Sequence, residues 1–217
     1  MNELQKDVHV WQAEVPKHLN DIDQLHGVLS LDEQGRAARF ITEQLSQRYI
    51  VAHGLLRQIL AKYTGIGAEH LDFLQGAHGK PCIAADNVFF NMSHAGDYVL
   101  YALTRVGEIG VDIEVVDRSV DYLALAKRFF TEGECSVLDG LEGGALQKTF
   151  FMYWTRKEAY LKMLGKGLVQ PLSSIDVSTD LINKKDGYQI TDIDVGNGCL
   201  AALAYPLIAT GYKLFKF

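Results

Sequence analysis

Cysteine is scarce and scattered in this sequence. Its 217 residues include three, Cys82, Cys135 and Cys199, an odd number at wide spacing and without a CxxC pair. That argues against a disulfide framework and a structural zinc site, and it fits a reducing cytosol. Positive charge is also in deficit: Lys and Arg total 21 against 27 Asp and Glu, for a net charge of −6. Holding nucleic acid requires clustered basic residues that neutralise phosphates, so no general nucleic-acid affinity is expected. Long hydrophobic runs are missing too. Met1 to Asp7 carries no apolar signal region, and the most apolar late run, Cys199 to Ala209, is too short to span a bilayer and contains Pro206. The reading is a cytoplasmic protein with no membrane contact. With 48% hydrophobic and 22% charged residues, the chain can bury one large domain or two small ones.

Periodicity places the elements. Val8 to Val15 reads as a strand, with His9, Trp11, Ala13 and Val15 on one face and Val8 and Val10 on the other. Ser30-Leu31-Asp32-Glu33 fits a capping box at a helix start. Ala52, Leu55, Leu56, Ile59, Leu60 and Tyr63 recur at helical spacing, which predicts a helix from about Gln44 to Tyr63, stopped at Gly65. Arg48 and Arg57 fall off that stripe. Gly76 to Pro81 reads as a loop, Val88–Met92 and Tyr98–Leu103 as strands, and Ser93 to Asp97 as the turn between them. Asp121 to Phe130 looks helical, Gly140 to Gly144 is a flexible break, and Leu146 to Leu164 is a second long helix ended by Gly165-Lys166-Gly167. The tail from Ile175 to Phe217 suggests three or so strands. The expected fold class is α+β: two similar lobes with pseudo-two-fold symmetry, residues 1–105 and 106–217, each a long helix on a small antiparallel sheet, with the active site at their junction.

The chemistry centres on Gly107 to Glu114. Apolar and acidic residues alternate there, so Val111, Ile113 and Val115 share one strand face while Asp112 and Glu114 share the other. Adjacent carboxylates need a cation or open water. On the second long helix, Trp154, Glu158 and Lys162 share a face. If Glu158 joins Asp112 and Glu114, the three form an all-oxygen site suited to Mg²⁺. Each signal also has a plainer reading: exposed strand acids, a solvated Glu–Lys pair, a turn histidine at His94, surface Lys80 and Arg48. Phe129-Phe130 and Phe150-Phe151 read as core.

The order of motifs is specific: Gly79-Lys80-Pro81, Asn91-Met92-Ser93-His94, Gly110-Val111-Asp112-Ile113-Glu114, Arg128-Phe129-Phe130 with Glu134, then Trp154-x-x-Lys157-Glu158-Ala159-x-x-Lys162. From residue 30 to 172 the chain resembles the 4′-phosphopantetheinyl transferase superfamily, in particular its surfactin-synthetase-activating (Sfp) type. The resemblance implies a cytoplasmic enzyme that moves 4′-phosphopantetheine from coenzyme A to a serine hydroxyl of an apo acyl or peptidyl carrier protein, releasing adenosine 3′,5′-bisphosphate. It implies Mg²⁺ on Asp112, Glu114 and Glu158. Catalysis falls to Glu158 (as base, directly or through a metal-bound water), Lys157 and Lys162. Coenzyme A contacts fall to Lys80, Ser93, His94, Arg48, Arg36, Lys157 and Lys162. One departure stands out: Ser30-Leu31-Asp32-Glu33 puts Glu33 near a position where the family is usually basic. Two lobes in one chain imply a working monomer. Lys127, Arg128, Lys148 and Arg156 either steer an acidic carrier or are scattered solubilising charge. Two other functions compete: a coenzyme A or carrier-binding module without catalysis, and a Mg²⁺-dependent phosphohydrolase.

Overall fold

The computed structural model describes residues 4, 6–76, 79–84, 87–116, 120–165, 171–179, 181–183, 186–196 and 198–217. Ala77 and His78 of the expected loop, and Lys166-Gly167 of the expected helix stop, lie outside them. The architecture is mixed α+β.

Strand β1 (Val8–Glu14) is covered on both faces. Trp11 and Ala13 pack toward the helix over Glu43–Thr64, and Val8 and Val10 pack toward a second sheet. β5 (Tyr98–Thr104) pairs antiparallel with β1, and β4 (Phe89–Ala95) pairs antiparallel with β5. β10 (Tyr212–Lys216) returns from the far end of the chain and pairs parallel with the other edge of β1, Val8 opposite Tyr212. The first sheet is thus ordered β10-β1-β5-β4. Helix α3 (Glu43–Thr64) lies on it and buries Val51, Leu55, Leu56, Ile59 and Leu60. Thr42 caps its first turn and Gly65, at φ 75°, closes its last. The short α1 (Ile22–Gly27) and α2 (Leu31–Ala37) precede it, and Ser30 and Glu33 form the expected capping box. Arg57 lies off the apolar stripe but is buried all the same. Its guanidinium meets Glu33 at 2.7 Å and the carbonyls of Ala68 and Leu71 at 2.9 and 3.0 Å.

The second sheet is ordered β6-β9-β8-β7, all antiparallel: β6 (Gly110–Val115), β7 (Ile182–Asn183), β8 (Tyr188–Ile193) and β9 (Cys199–Pro206). Helix α6 (Gly143–Leu164) packs on one face with Ala202, Ala204 and Ile190. The other face, carrying Val111, Ile113 and Leu203, shares a core with Val8, Val10, Leu100 and Ala102 of the first sheet. β2 (Phe73–Gln75) and β3 (Pro81–Ile83) form a separate hairpin.

Two expectations need correction. The turn between β4 and β5 is only Gly96-Asp97, so Ser93 and His94 belong to β4. Ahead of α6 stand two helices: α4 (Tyr122–Phe129) and, not anticipated, α5 (Glu132–Asp139), which opens with a Thr131/Glu134 capping box. Their aromatic neighbours, Phe130, Phe150 and Phe151, are core as expected.

Candidate active site at the sheet junction

The edge strands β4 and β6 meet at the junction of the sheets. Asn91 on β4 accepts the Val111 amide through Oδ1 at 2.9 Å. Two residues on, the Ser93 hydroxyl donates to Asp112 Oδ1 at 2.9 Å. The alternation of β6 sends Val111 and Ile113 into the shared core and turns Asp112 to the α6 side. There Lys162 donates to Asp112 Oδ1 at 2.5 Å and to Ser93 Oγ at 2.9 Å. Three segments far apart in the chain thus build one polar group.

Its electrostatics are unbalanced. Asp112 is 5% exposed, and its Oδ2 is buried without a hydrogen-bond partner among the described residues. Burial raises its pKa, against the opposing pull of Lys162 and Ser93. Burial also raises the pKa of Glu158; the negative charges of Asp112 and Glu114 add to this, and Lys162 opposes it. Glu158 thus feels both acids of β6. Among the described residues, no group of three or more His, Cys, Asp or Glu side chains is placed so that it could hold a metal ion.

Other expected residues are placed differently. Lys157 points away from this group. It is fully buried and pairs with equally buried Glu134 at 2.7 Å. It also donates to the carbonyls of Leu172 (2.9 Å) and Ile175. An ammonium enclosed this way cannot meet a phosphate in this conformation, because its three protons are all engaged. Lys80 Nζ contacts Glu108 Oε2 at 2.6 Å and the carbonyls of Ile109 and Met163 at 2.8 and 3.2 Å. Arg156 is withdrawn from the proposed carrier patch: it is buried, bonding Asp192 through two nitrogens at 2.8 and 2.7 Å and the Val177 carbonyl at 3.0 Å. Lys127, Arg128 and Lys148 remain exposed.

Beside Ser93, His94 and Arg48 line a cavity of about 330 Å³ with Phe40, Tyr49 and His53. Arg48 bonds Asp97 Oδ1 at 2.7 and 3.1 Å. Arg36 stacks over the Tyr49 ring, 5.5 Å from its centre. The His94 pKa is lowered by loss of water and by the charges of Lys162 and Arg48. His53, whose ring is tilted against that of Tyr49 with centres 4.0 Å apart, is pushed down to about 4 by burial. Glu33, the departure noted above, is held by Arg57 and the α2 cap. Sequence reasoning missed Tyr49 and His53. Their helical i, i+4 spacing beside Arg48 was the available signal. Nothing in the sequence pattern pointed to Asp97 or Glu108.

Comparison with known proteins bears on the family. Residues 108–198 match a family described as the 4′-phosphopantetheinyl transferase superfamily, and residues 11–105 match one described as 4′-phosphopantetheinyl transferase, N-terminal. The chain is 32% identical over 210 residues to the 4′-phosphopantetheinyl transferase HetI of Nostoc sp., spanning 93% of this chain and 88% of that protein. It is 38% identical over 151 residues to the putative 4′-phosphopantetheinyl transferase slr0495 of Synechocystis sp., spanning 68% and 61%. It is 31% identical over 150 residues to the 4′-phosphopantetheinyl transferase Sfp of Bacillus subtilis, spanning 69% and 66%.

Proposed function

The chain belongs to the 4′-phosphopantetheinyl transferase superfamily, and from that premise we propose how its own residues perform the transfer. It is an enzyme that transfers 4′-phosphopantetheine from coenzyme A to a serine hydroxyl of an apo carrier protein. The serine oxygen forms a bond to the β-phosphorus, the bond from that phosphorus to the bridging oxygen breaks, and adenosine 3′,5′-bisphosphate leaves. The observation that carries the residue assignment is the Ser93–Asp112–Lys162 group with Glu158 beside it.

Asp112, Glu114 and Glu158 would hold Mg²⁺. The unpartnered Oδ2 of Asp112 and the mutual repulsion that raises Glu158 are the features a hard cation relieves. Bound there, the ion would supply positive charge to the attacked phosphoryl group and to the leaving phosphate. Lys162 presents its ammonium to the same charge, already oriented by Asp112 and Ser93. Glu158 would accept the serine proton, directly or through a water. Arg48 and His94 border the cavity that would take the coenzyme's 3′-phosphate, and Arg36 lies over Tyr49, which also lines it. Lys127, Arg128 and Lys148 offer positive charge to an acidic carrier.

Two lobes, residues 1–105 and 106–217, frame this site; the two family matches divide between residues 105 and 108 in support. The pseudo-two-fold relation is supported by one long helix on one four-stranded sheet in each half. β10 is the exception, since it crosses back to β1. The grouped residues come from one chain, which supports a monomer. The odd number and wide spacing of Cys82, Cys135 and Cys199, without a CxxC pair, support a cytoplasmic setting.

The test is incubation of a panel of apo carriers with coenzyme A and Mg²⁺, read by intact-protein mass. The expected result is the addition of one phosphopantetheine to at least one carrier, with Asp112→Ala, Glu114→Ala and Glu158→Ala folded but greatly slowed. Consumption of coenzyme A with no carrier modified would mark a hydrolase, and neither change a binding module. Near-normal turnover of Asp112→Ala at saturating Mg²⁺ would sink the metal assignment.

A further inference from the structure

We propose that Lys80 is a positioning residue that fastens the start of β6 to the last turn of α6, and not a ligand for coenzyme A phosphate. The hairpin strand β3 begins at Pro81, and the Lys80 side chain reaches from there across both halves of the site. It is 14% exposed, and its three ammonium protons have three acceptors: Glu108 Oε2, the Ile109 carbonyl and the Met163 carbonyl. The positions of the two carbonyls give the contact its meaning. Ile109 immediately precedes Gly110, the first residue of β6. Met163 immediately follows Lys162. The Met163 carbonyl is among the last of α6, which have no partner inside the helix, and a cation there also complements the helix dipole.

Between these two carbonyls the backbones already touch. A Cβ built on Gly110 would lie 1.9 Å from the Ala159 carbonyl oxygen and 2.4 Å from the Met163 nitrogen. The glycine lets β6 lie directly on α6 at the turn that carries Glu158 and Lys162. The strand residue after next is Asp112. The Asp112–Lys162 contact is therefore set by how β6 seats on α6, and Lys80 holds that seat from the outside. Burial lowers the Lys80 pKa and Glu108 opposes the shift. That is the electrostatic position of a lysine placed for its hydrogen bonds.

This inference rests on the transferase reading for its kinetic readout only. The variants are Lys80→Met, which keeps the chain length and removes the donors, and Lys80→Arg. With a carrier that the wild type modifies, Lys80→Met should lower kcat by about ten- to a hundred-fold, with KM for coenzyme A within about twofold. Hydrogen exchange, followed by mass spectrometry, should quicken in peptides covering 108–112 and 160–165. Lys80→Arg should also lose kcat, because a longer planar fork cannot satisfy both carbonyls in the same register, although it would serve a phosphate well. A rise of ten-fold or more in KM with kcat kept, or unchanged exchange in the two peptides, overturns the proposal. If Lys80→Met does not fold, full kcat in Lys80→Arg overturns it alone. If the wild type modifies no carrier, the transferase reading fails, and the exchange result still decides the role of Lys80.

Discussion

Lys157 and Lys162 leave the same helix and each finds a carboxylate, yet the two pairs differ in completeness. The Lys157–Glu134 pair is sealed, with both side chains 0% exposed. Glu134 accepts the amides of Thr131 and Val177 as well, and Lys157 holds two carbonyls. Every proton and both oxygens are used, so the pair binds α5, α6 and the 172–177 segment together and has no capacity left for a ligand. The Lys162–Asp112 pair is open. Lys162 remains 29% exposed, and Asp112 Oδ2 has no partner. A buried polar group left unsatisfied costs about 1–3 kcal/mol. Retaining that cost is intelligible where a substrate or ion completes the group. Exposure and completeness, more than residue type, separate the enclosed lysine from the one that can still meet a ligand.

The comparison can be broken most directly at Lys157. Lys157→Met leaves Glu134 as an uncompensated buried charge and should cost about 3–5 kcal/mol in urea unfolding. The double variant with Glu134→Leu should regain much of that, and the coenzyme A affinity of the folded protein should stay put. A stability loss under about 1 kcal/mol together with weaker coenzyme A binding would make Lys157 a ligand after all.

Lys162→Ala tests the open pair. In the proposed function its ammonium would meet charge that grows in the transition state, so kcat should fall roughly a hundred-fold, more than KM rises. Lys162→Arg should not fully rescue it. Full kcat in steady-state assays would remove both Lys162 and Glu158 from the site, since they share a helix face.

A third case, His53, sharpens the same contrast. Glu33 stands 3.8 Å from its ring, but burial wins and holds the folded pKa at about 4 against an ordinary 6.5. The depressed value means that the unfolded chain takes up this proton first as pH falls. Stability from this group is full above the ordinary value and declines as pH drops toward about 4. Between pH 7 and 4.5 the loss attributable to His53 should be on the order of 2 kcal/mol. Urea melts of wild type and His53→Phe at both pH values isolate it. An equal pH dependence in the two proteins would refute the assignment.

The smallest effect concerns Arg48, whose half-exposed pair with Asp97 is worth under about 1 kcal/mol. Asp97→Asn should release the guanidinium and tighten coenzyme A binding by up to about fivefold in calorimetric titration. Weaker binding would mean that Asp97 orients Arg48 instead of competing for it.

Much of this was legible in the chain itself. The stripe from Ala52 to Tyr63 located α3 to within a residue at each end, and the alternation of β6 assigned Asp112 and Glu114 to the face opposite Val111 and Ile113. Ser93 and His94 were mistaken for turn residues because polar side chains at a strand edge resemble a turn until the neighbouring strand is known. The α5 helix was missed although Thr131-x-x-Glu134 is a capping box, because Glu134 was noted only as part of a motif.

The amino-acid sequence by itself determined the two long helices, most of the strands and the family, because periodicity, caps and motif order are local properties of the chain. Only the tertiary structure decided which lysine meets which carboxylate. Lys157 and Lys162 stand in one motif on one helix, and their roles diverge because Glu134 with the carbonyls of Leu172 and Ile175 encloses the first, while Ser93 and Asp112 meet the second. Those partners are distant in sequence, and burial, which sets what each ammonium can still bind, exists only once the segments have packed.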